Sequence, residues 1–222
     1  MLFKNLGGIE QAFLDYCEAL TITKNQVIPI ICKGAKIRNL LTQKPLFLNP
    51  FGRNDPFALL KLKYFILREK PDLILAHTTK DTALARKVAG NIPVVSISHG
   101  FNFRHLIGKQ HIVAITKHMY EEIIKAGHPS NQISYIPNMV RVTNKLKKPK
   151  KITTIGFMGR LEPIKGCDIL IKALAELKSQ GIKLKCTIAG EGSEKGNLIM
   201  LINDLNLSNE VKMAGWVLGD QK

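Results

Sequence analysis

From Gly8 onward the chain alternates short apolar runs with longer amphipathic stretches. Ile9, Phe13, Tyr16, Cys17 and Leu20 recur at helical spacing, so a helix is expected up to residue 20. Residues 27–32 read as a strand and 37–41 as a short further element. Residues 44–56 hold three prolines, Gly52 and two asparagines, and read as a loop. An amphipathic helix is expected over 57–68, stopped by Pro71, then a short buried strand over 72–76. A helix over 80–89 ends at Gly90, and the apolar run 93–98 (PVVSIS) is the next strand. A strand over 111–115 leads to Thr116, which is placed to cap a helix over 117–126; Gly127 and Pro129 end it before a strand over 133–136. Such alternation predicts an α/β fold, a parallel sheet with helices on both faces.

The pattern breaks at residues 145–151, where five lysines and a proline fall in seven positions. Such a stretch cannot build a core and reads as a linker. Its alternative reading is a patch that steers the protein to an anionic membrane. Beyond it the alternation resumes: strand 152–158, helix 167–179, strand 184–189, helix 194–205, strand 211–214. We therefore assign an N-terminal Rossmann-like domain to 1–144, the linker to 145–151 and a second unit to 152–222. Residues 1–4 read as the end of a strand whose start lies upstream.

Candidate chemistry gathers where expected strands end, the ligand side of an open parallel sheet. Gly7 and Gly8 precede the first helix, and a glycine pair there lets a ligand approach backbone N–H groups. His77 and His99 each follow a strand. For His77 the preferred reading is a hydrogen bond that closes the strand. In the second unit, residues 152–166 (ITTIGFMGRLEPIKG) run from an apolar, buried strand through a loop bearing Arg160 and Lys165 into a helix. A helix N-terminus favours an anion, and the two cations complete a candidate diphosphate clamp. The competing reading is two solvated loop charges. Gly190 and Gly192 flank Glu191 after the next strand. They are not a dinucleotide fingerprint, because Gly196 comes one place late, but they leave room for a nucleotide close to backbone.

GRLEPIKG, the following helix, the strand ending in GEG and the segment VKMAGWV together resemble retaining glycosyltransferases of family 4, group 1, in register over about seventy residues. The resemblance implies a GT-B fold and a nucleotide-sugar donor bound in the cleft between two domains. It implies transfer with retained anomeric configuration, to an acceptor read as a lipid-linked saccharide or cell-envelope glycan. It assigns Arg160, Lys165, Gly7 and Gly8 to the donor diphosphate and His99 to the reacting sugar. Phe101, Asn102 and Arg104 fall on the acceptor side, and Gly190, Glu191 and Gly192 near the nucleotide or sugar. No metal or other cofactor is expected. Met139 and Arg141 depart from the family's usual Pro-Asn-Gly-Val-Asp. The family's glutamate pair, spaced eight apart, is not found after the linker. The expectation is thus an acceptor domain plus part of a donor domain, either a glycosyltransferase or a non-catalytic homologue that binds nucleotide or a partner. A second chain completing the donor domain is one such partner.

Composition narrows this further. Lysine and arginine total 33 against 17 aspartate and glutamate, a formal net charge of +16, and the excess is spread along the chain. Anionic partners are favoured: nucleotide sugars or acidic headgroups. A specific nucleic-acid reader is not, since aromatics are only 6% and no basic stripe or named motif occurs. Cys17, Cys32, Cys167 and Cys186 lie far apart without a CxxC pair, which argues reduced thiols. His105, His111, His118 and His128 show no metal-ligand spacing. With no apolar run of about eighteen residues and no signal-peptide pattern, a cytoplasmic setting is expected, with an inner-membrane surface as the alternative.

Overall fold

The structure, a computed structural model, describes residues 7–140 and 152–217. The chain divides into two compact units, Met1–Val142 and Thr143–Lys222. The linker reading at 145–151, the strand reading at 1–4 and Arg141 lie outside the described residues.

The first unit opens with helix α1, Gly8–Ile22, which buries Ala12, Phe13 and Cys17. Strand β1 is only Ile30–Ile31, shorter than the reading of 27–32, because Pro29 has no N–H to give a ladder. The element read over 37–41 is a 3-10 helix, Lys36–Leu40. The stretch read as a loop contains strand β2, Leu46–Phe47, parallel to β1. Pro29 still accepts from Leu46 N–H at 2.8 Å, and Ile31 from Leu48 N–H at 3.0 Å. Helix α2, Pro56–Glu69, starts at Asp55, whose carboxylate accepts from the Phe57 and Ala58 N–H groups. Proline at its first position costs nothing there, since that N–H would be unpaired anyway.

A parallel sheet follows, four-stranded among the described residues: β3 Ile74–Ala76, β4 Val94–Ser98, β5 His111–Ala114 and β6 Ile133–Tyr135, in that spatial order. Helix α3, Thr79–Val88, and helix α4, Lys117–Lys125, are crossovers. Their N-caps, Thr78 and Thr116, accept from Asp81 and Met119 N–H at 3.1 Å each. That satisfies donors the helix itself leaves open. Ser96, a hydroxyl deep in β4, is 1% exposed. It is paired with Thr82 Oγ1 at 2.9 Å and accepts from Gln110 Nε2 at 3.1 Å, so its burial is compensated.

In the second unit β7, Thr154–Met158, α5, Cys167–Ser179, β8, Lys185–Ala189, α6, Lys195–Asp204, and β9, Val211–Gly215, form a three-stranded parallel sheet with two helices, among the described residues. Leu161, Ile171, Ile188 and Leu207 are fully buried. β7 does not match its reading as a buried strand. Among the described residues it lies at the edge of its sheet and alternates exposed and half-buried residues, with Met158 at 55% exposure. The apolar run was legible; what covers each face was not, because that depends on neighbours along the sheet.

Candidate active site

The first unit's candidate residues His77 and His99 sit where β3 and β4 end. These strands are parallel neighbours, so the residues just past Ala76 and Ser98 emerge side by side. His77 Nδ1 lies 3.2 Å from His99 Nε2, and the rings stack with centroids 5.4 Å apart. His77 is buried, and α1 seals it: the Phe13 and Tyr16 rings meet its edge, each at 5.3 Å. Burial, and secondarily the neighbouring His99, lower the His77 pKa to about 3. Burial also lowers that of half-buried His99. Two neutral imidazoles can share one N–H···N bond, so His77 fixes the ring of His99 and leaves the other His99 nitrogen outside that bond. The Tyr16 hydroxyl is buried and finds no hydrogen-bond partner among the described residues. Its burial raises its pKa.

Sequence reasoning gave His77 a bond closing its own strand; the structure makes it the partner of His99 instead. The signal was available, since both histidines terminate consecutive strands. The pairing has a pH consequence. An unfolded imidazole takes its proton near pH 6.5, whereas folded His77 resists it down to about 3. Between those values the unfolded chain binds more protons, so stability falls as pH drops from 6.5 towards 3. Urea midpoints measured across that range should show this slope, and His77→Phe should flatten it. An unchanged slope in the variant would contradict the assignment.

The same helix α1 begins at the glycine pair. Gly7 is its N-cap, and a Cβ there would come within 3.0 Å of Glu10 Oε2. A Cβ on Gly8 would meet nothing within 4 Å. The fold therefore does not demand glycine at position 8, and open space borders that backbone. Phe101 and Asn102 are exposed after β4; Arg104, also exposed, begins a 3-10 helix, Arg104–Leu106. Phe101 tilts against His118 at 5.4 Å, which adds an imidazole to this surface that the sequence reading had set aside.

The second unit's loops are built on glycine. Leu161, 0% exposed, pins the loop after β7 into the core while Arg160 is turned outward. Glycines 190 and 192 lie directly against this loop. Gly159 N–H donates to Ala189 at 3.0 Å, Leu161 N–H to Glu191 at 3.0 Å, and Glu194 N–H to Leu161 at 2.9 Å. A Cβ on Gly190 would sit 1.8 Å from the Gly159 carbonyl oxygen, and one on Gly192 2.2 Å from that of Leu161. These glycines thus let two loops of the chain's own backbone close on each other. Their Cβ sides are filled by protein, where the sequence reading left room for a nucleotide.

Both cations of the expected clamp are exposed, on this one loop. Arg160 Nη1 bonds Glu162 Oε1 at 2.8 Å, a partner the sequence reading did not weigh. Lys165 ends the 3-10 helix Pro163–Lys165, and Gly166 (φ 66°) turns the chain into α5. The first turn of α5 carries its own carboxylate. The Asp168 pKa is lowered by its bond to Lys172, with smaller help from the Ile169 and Asp168 backbone N–H groups. That N-terminus is therefore partly supplied with negative charge already. Glu191 pairs with Lys195 at 2.8 Å. Among the described residues no three His, Cys, Asp or Glu side chains group as metal ligands would.

A model of Glycosyltransferase Family 4 matches residues 6–144, more than half of the chain. The chain belongs to that family. A second model, glycosyl transferases group 1, matches residues 141–222. The lipopolysaccharide core biosynthesis glycosyltransferase LpsE of Rhizobium meliloti is 28% identical over 222 residues. That match covers 95% of this chain and 64% of LpsE, so the family 4 chain described here spans less than two thirds of that relative. The structure of Anabaena HepE in complex with UDP and glucose superposes with a TM-score of 0.77 at 19% identity, over 98% of this chain and 68% of that one. The apo lipopolysaccharide outer core galactosyltransferase WaaB gives 0.68 at 15% identity, over 97% and 67%. The fold of this family 4 chain is of GT-B type, two Rossmann-like units with parallel sheets.

Proposed function

We propose that this family 4 chain provides sugar-transfer machinery: it binds a nucleotide-sugar donor and passes the sugar, with retained configuration, to a saccharide or lipid-linked acceptor of the cell envelope. The observation that carries the reading is the neutral His77–His99 pair at the strand ends, sealed by the helix that starts at the glycine pair. Support for the donor class comes from the similarity to HepE, seen with UDP and glucose, and for the acceptor class from LpsE. In this reading His99 orients the reacting sugar. As the C1–O bond to the diphosphate breaks, Arg160 and Lys165 meet the developing negative charge. The exposed bond between Arg160 and Glu162 holds it weakly, and a diphosphate competes for the same guanidinium.

Calorimetric titration with uridine diphosphate tests this. Arg160→Ala combined with Lys165→Ala is expected to weaken binding about 10- to 100-fold, with an unchanged melting curve because both side chains are exposed. Chelation by EDTA should leave the affinity unchanged, since the proposal meets the diphosphate with side-chain cations. Gly8→Ala should keep the fold and weaken the nucleotide, because the space it fills is the ligand's. Equal affinity in all variants would overturn the donor assignment. Tight binding with no sugar transfer to any acceptor would instead favour a nucleotide-binding homologue without catalysis.

A further inference from the structure

Helix α2 has two apolar faces, and the fold uses only one. Ala58, Leu62, Phe65 and Ile66 are buried in the first unit. On the opposite side Phe57, Leu60, Tyr64 and Leu67 are 85%, 73%, 57% and 64% exposed. Their spacing of three, four and three residues, at about 100° per residue, makes a single stripe. Just before the helix Phe51 is 100% exposed, yet its backbone N–H is tied to Asp55 Oδ2 at 2.9 Å, so the ring is held out on an ordered turn.

Cations flank the stripe on both sides. Lys61 and Arg68 fall on one border and Lys63 on the other, each roughly 60–80° round the helix from the stripe's centre. Lys61 and Arg68 lean on the Phe65 ring at 5.6 Å, and Arg68 also on Tyr64 at 5.5 Å, so their stems run along apolar surface. The two acids of this region are already engaged: Asp55 caps the helix, and Glu69 binds Arg68 Nε at 2.6 Å.

We propose that this outer face of α2, with Phe51, is a docking surface for an anionic lipid bilayer. An apolar stripe bordered by lysine and arginine matches the boundary between acyl chains and anionic headgroups: the rings and leucines enter, the cations stay at phosphate level. The charge pattern selects a negative bilayer over a neutral one. It does not fit a second copy of this face, which would oppose like charges. The inference stands apart from the sugar-transfer reading, since α2 contributes no residue to it.

Co-sedimentation of the full chain with vesicles tests it. Binding is expected to vesicles of phosphatidylcholine with phosphatidylglycerol, and to fall about tenfold or more on pure phosphatidylcholine or at high salt. Leu60→Ser with Leu67→Ser should lower binding about tenfold through the apolar term, and Lys61→Glu with Lys63→Glu by a similar factor through charge. Both pairs are exposed, so circular dichroism melts should be unchanged. Equal vesicle binding by all three proteins, or none by the parent chain, would overturn the proposal. So would a dimer in solution that only the serine variant dissociates, which would assign the stripe to self-association.

Discussion

Gly190→Ala is expected to destabilise the second unit by about 3–5 kcal/mol. The new methyl would lie 1.8 Å from the Gly159 carbonyl oxygen, which is backbone and has no rotamer to change. The residue's φ of 152° also disfavours any side chain. Relief requires the two loops to part, with loss of the Gly159–Ala189 and Leu161–Glu191 hydrogen bonds and exposure of fully buried Leu161. A compact unit of this size is stable by about 5–15 kcal/mol, so the loss is a large share. Gly192→Ala should behave alike, for its Cβ meets the Leu161 carbonyl oxygen at 2.2 Å. Gly196→Ala is the internal control. It sits in α6 with nothing within 4 Å of its Cβ, so the same chemical change should stabilise by up to about 1 kcal/mol. Hydrogen exchange at the Leu161 amide, with denaturant melts, reads both. Equal behaviour of the 190 and 196 variants would show that the loops are not locked together.

His99→Ala is expected to lower the rate of sugar transfer by about 10²- to 10³-fold with a far smaller change in donor affinity. The diphosphate is assigned to cations in the other unit, so binding does not depend on the imidazole. The effect belongs to the rate because His99 is neutral, half-buried and oriented by a second neutral ring. His77→Phe keeps the apolar seal against Phe13 and Tyr16 but removes the nitrogen that fixes His99. A smaller loss, about 10-fold or somewhat more, is expected there, as for other groups that act by orienting a partner. Separating the turnover rate from the donor's KM in both variants checks the assignment. A loss confined to KM would move His99 from the reacting sugar to ground-state binding.

Much of the fold could be read from residue pattern because its determinants are local. Helix α5 was placed at its observed bounds, and Thr116 was found as a cap, since spacing and capping chemistry lie within a few neighbouring residues. Strand β2 was missed for the opposite reason. It is two residues long, set among prolines and asparagines, and its partner β1 lies sixteen residues earlier. The open face of β7 escaped because a run such as 152–158 records apolarity but not what lies above it. In the site, the residue types were legible and their partners were not. Arg160 announced a cation but not its bond to Glu162. The glycines at 190 and 192 announced a close approach, but only the fold reveals that the approaching backbone is residues 159–161. His77 shows both sides: its place at a strand end was read, while the pairing with His99 that two consecutive strand ends signal was not drawn.

The central proposal is that a nucleotide-sugar donor is held through its diphosphate by the Arg160–Lys165 loop. Amide spectra of isotope-labelled protein titrated with a uridine diphosphate sugar test it most directly. The account predicts saturable shifts at Arg160 and Lys165, both with one dissociation constant. Shifts confined to residues far from these, or none at all, would contradict it.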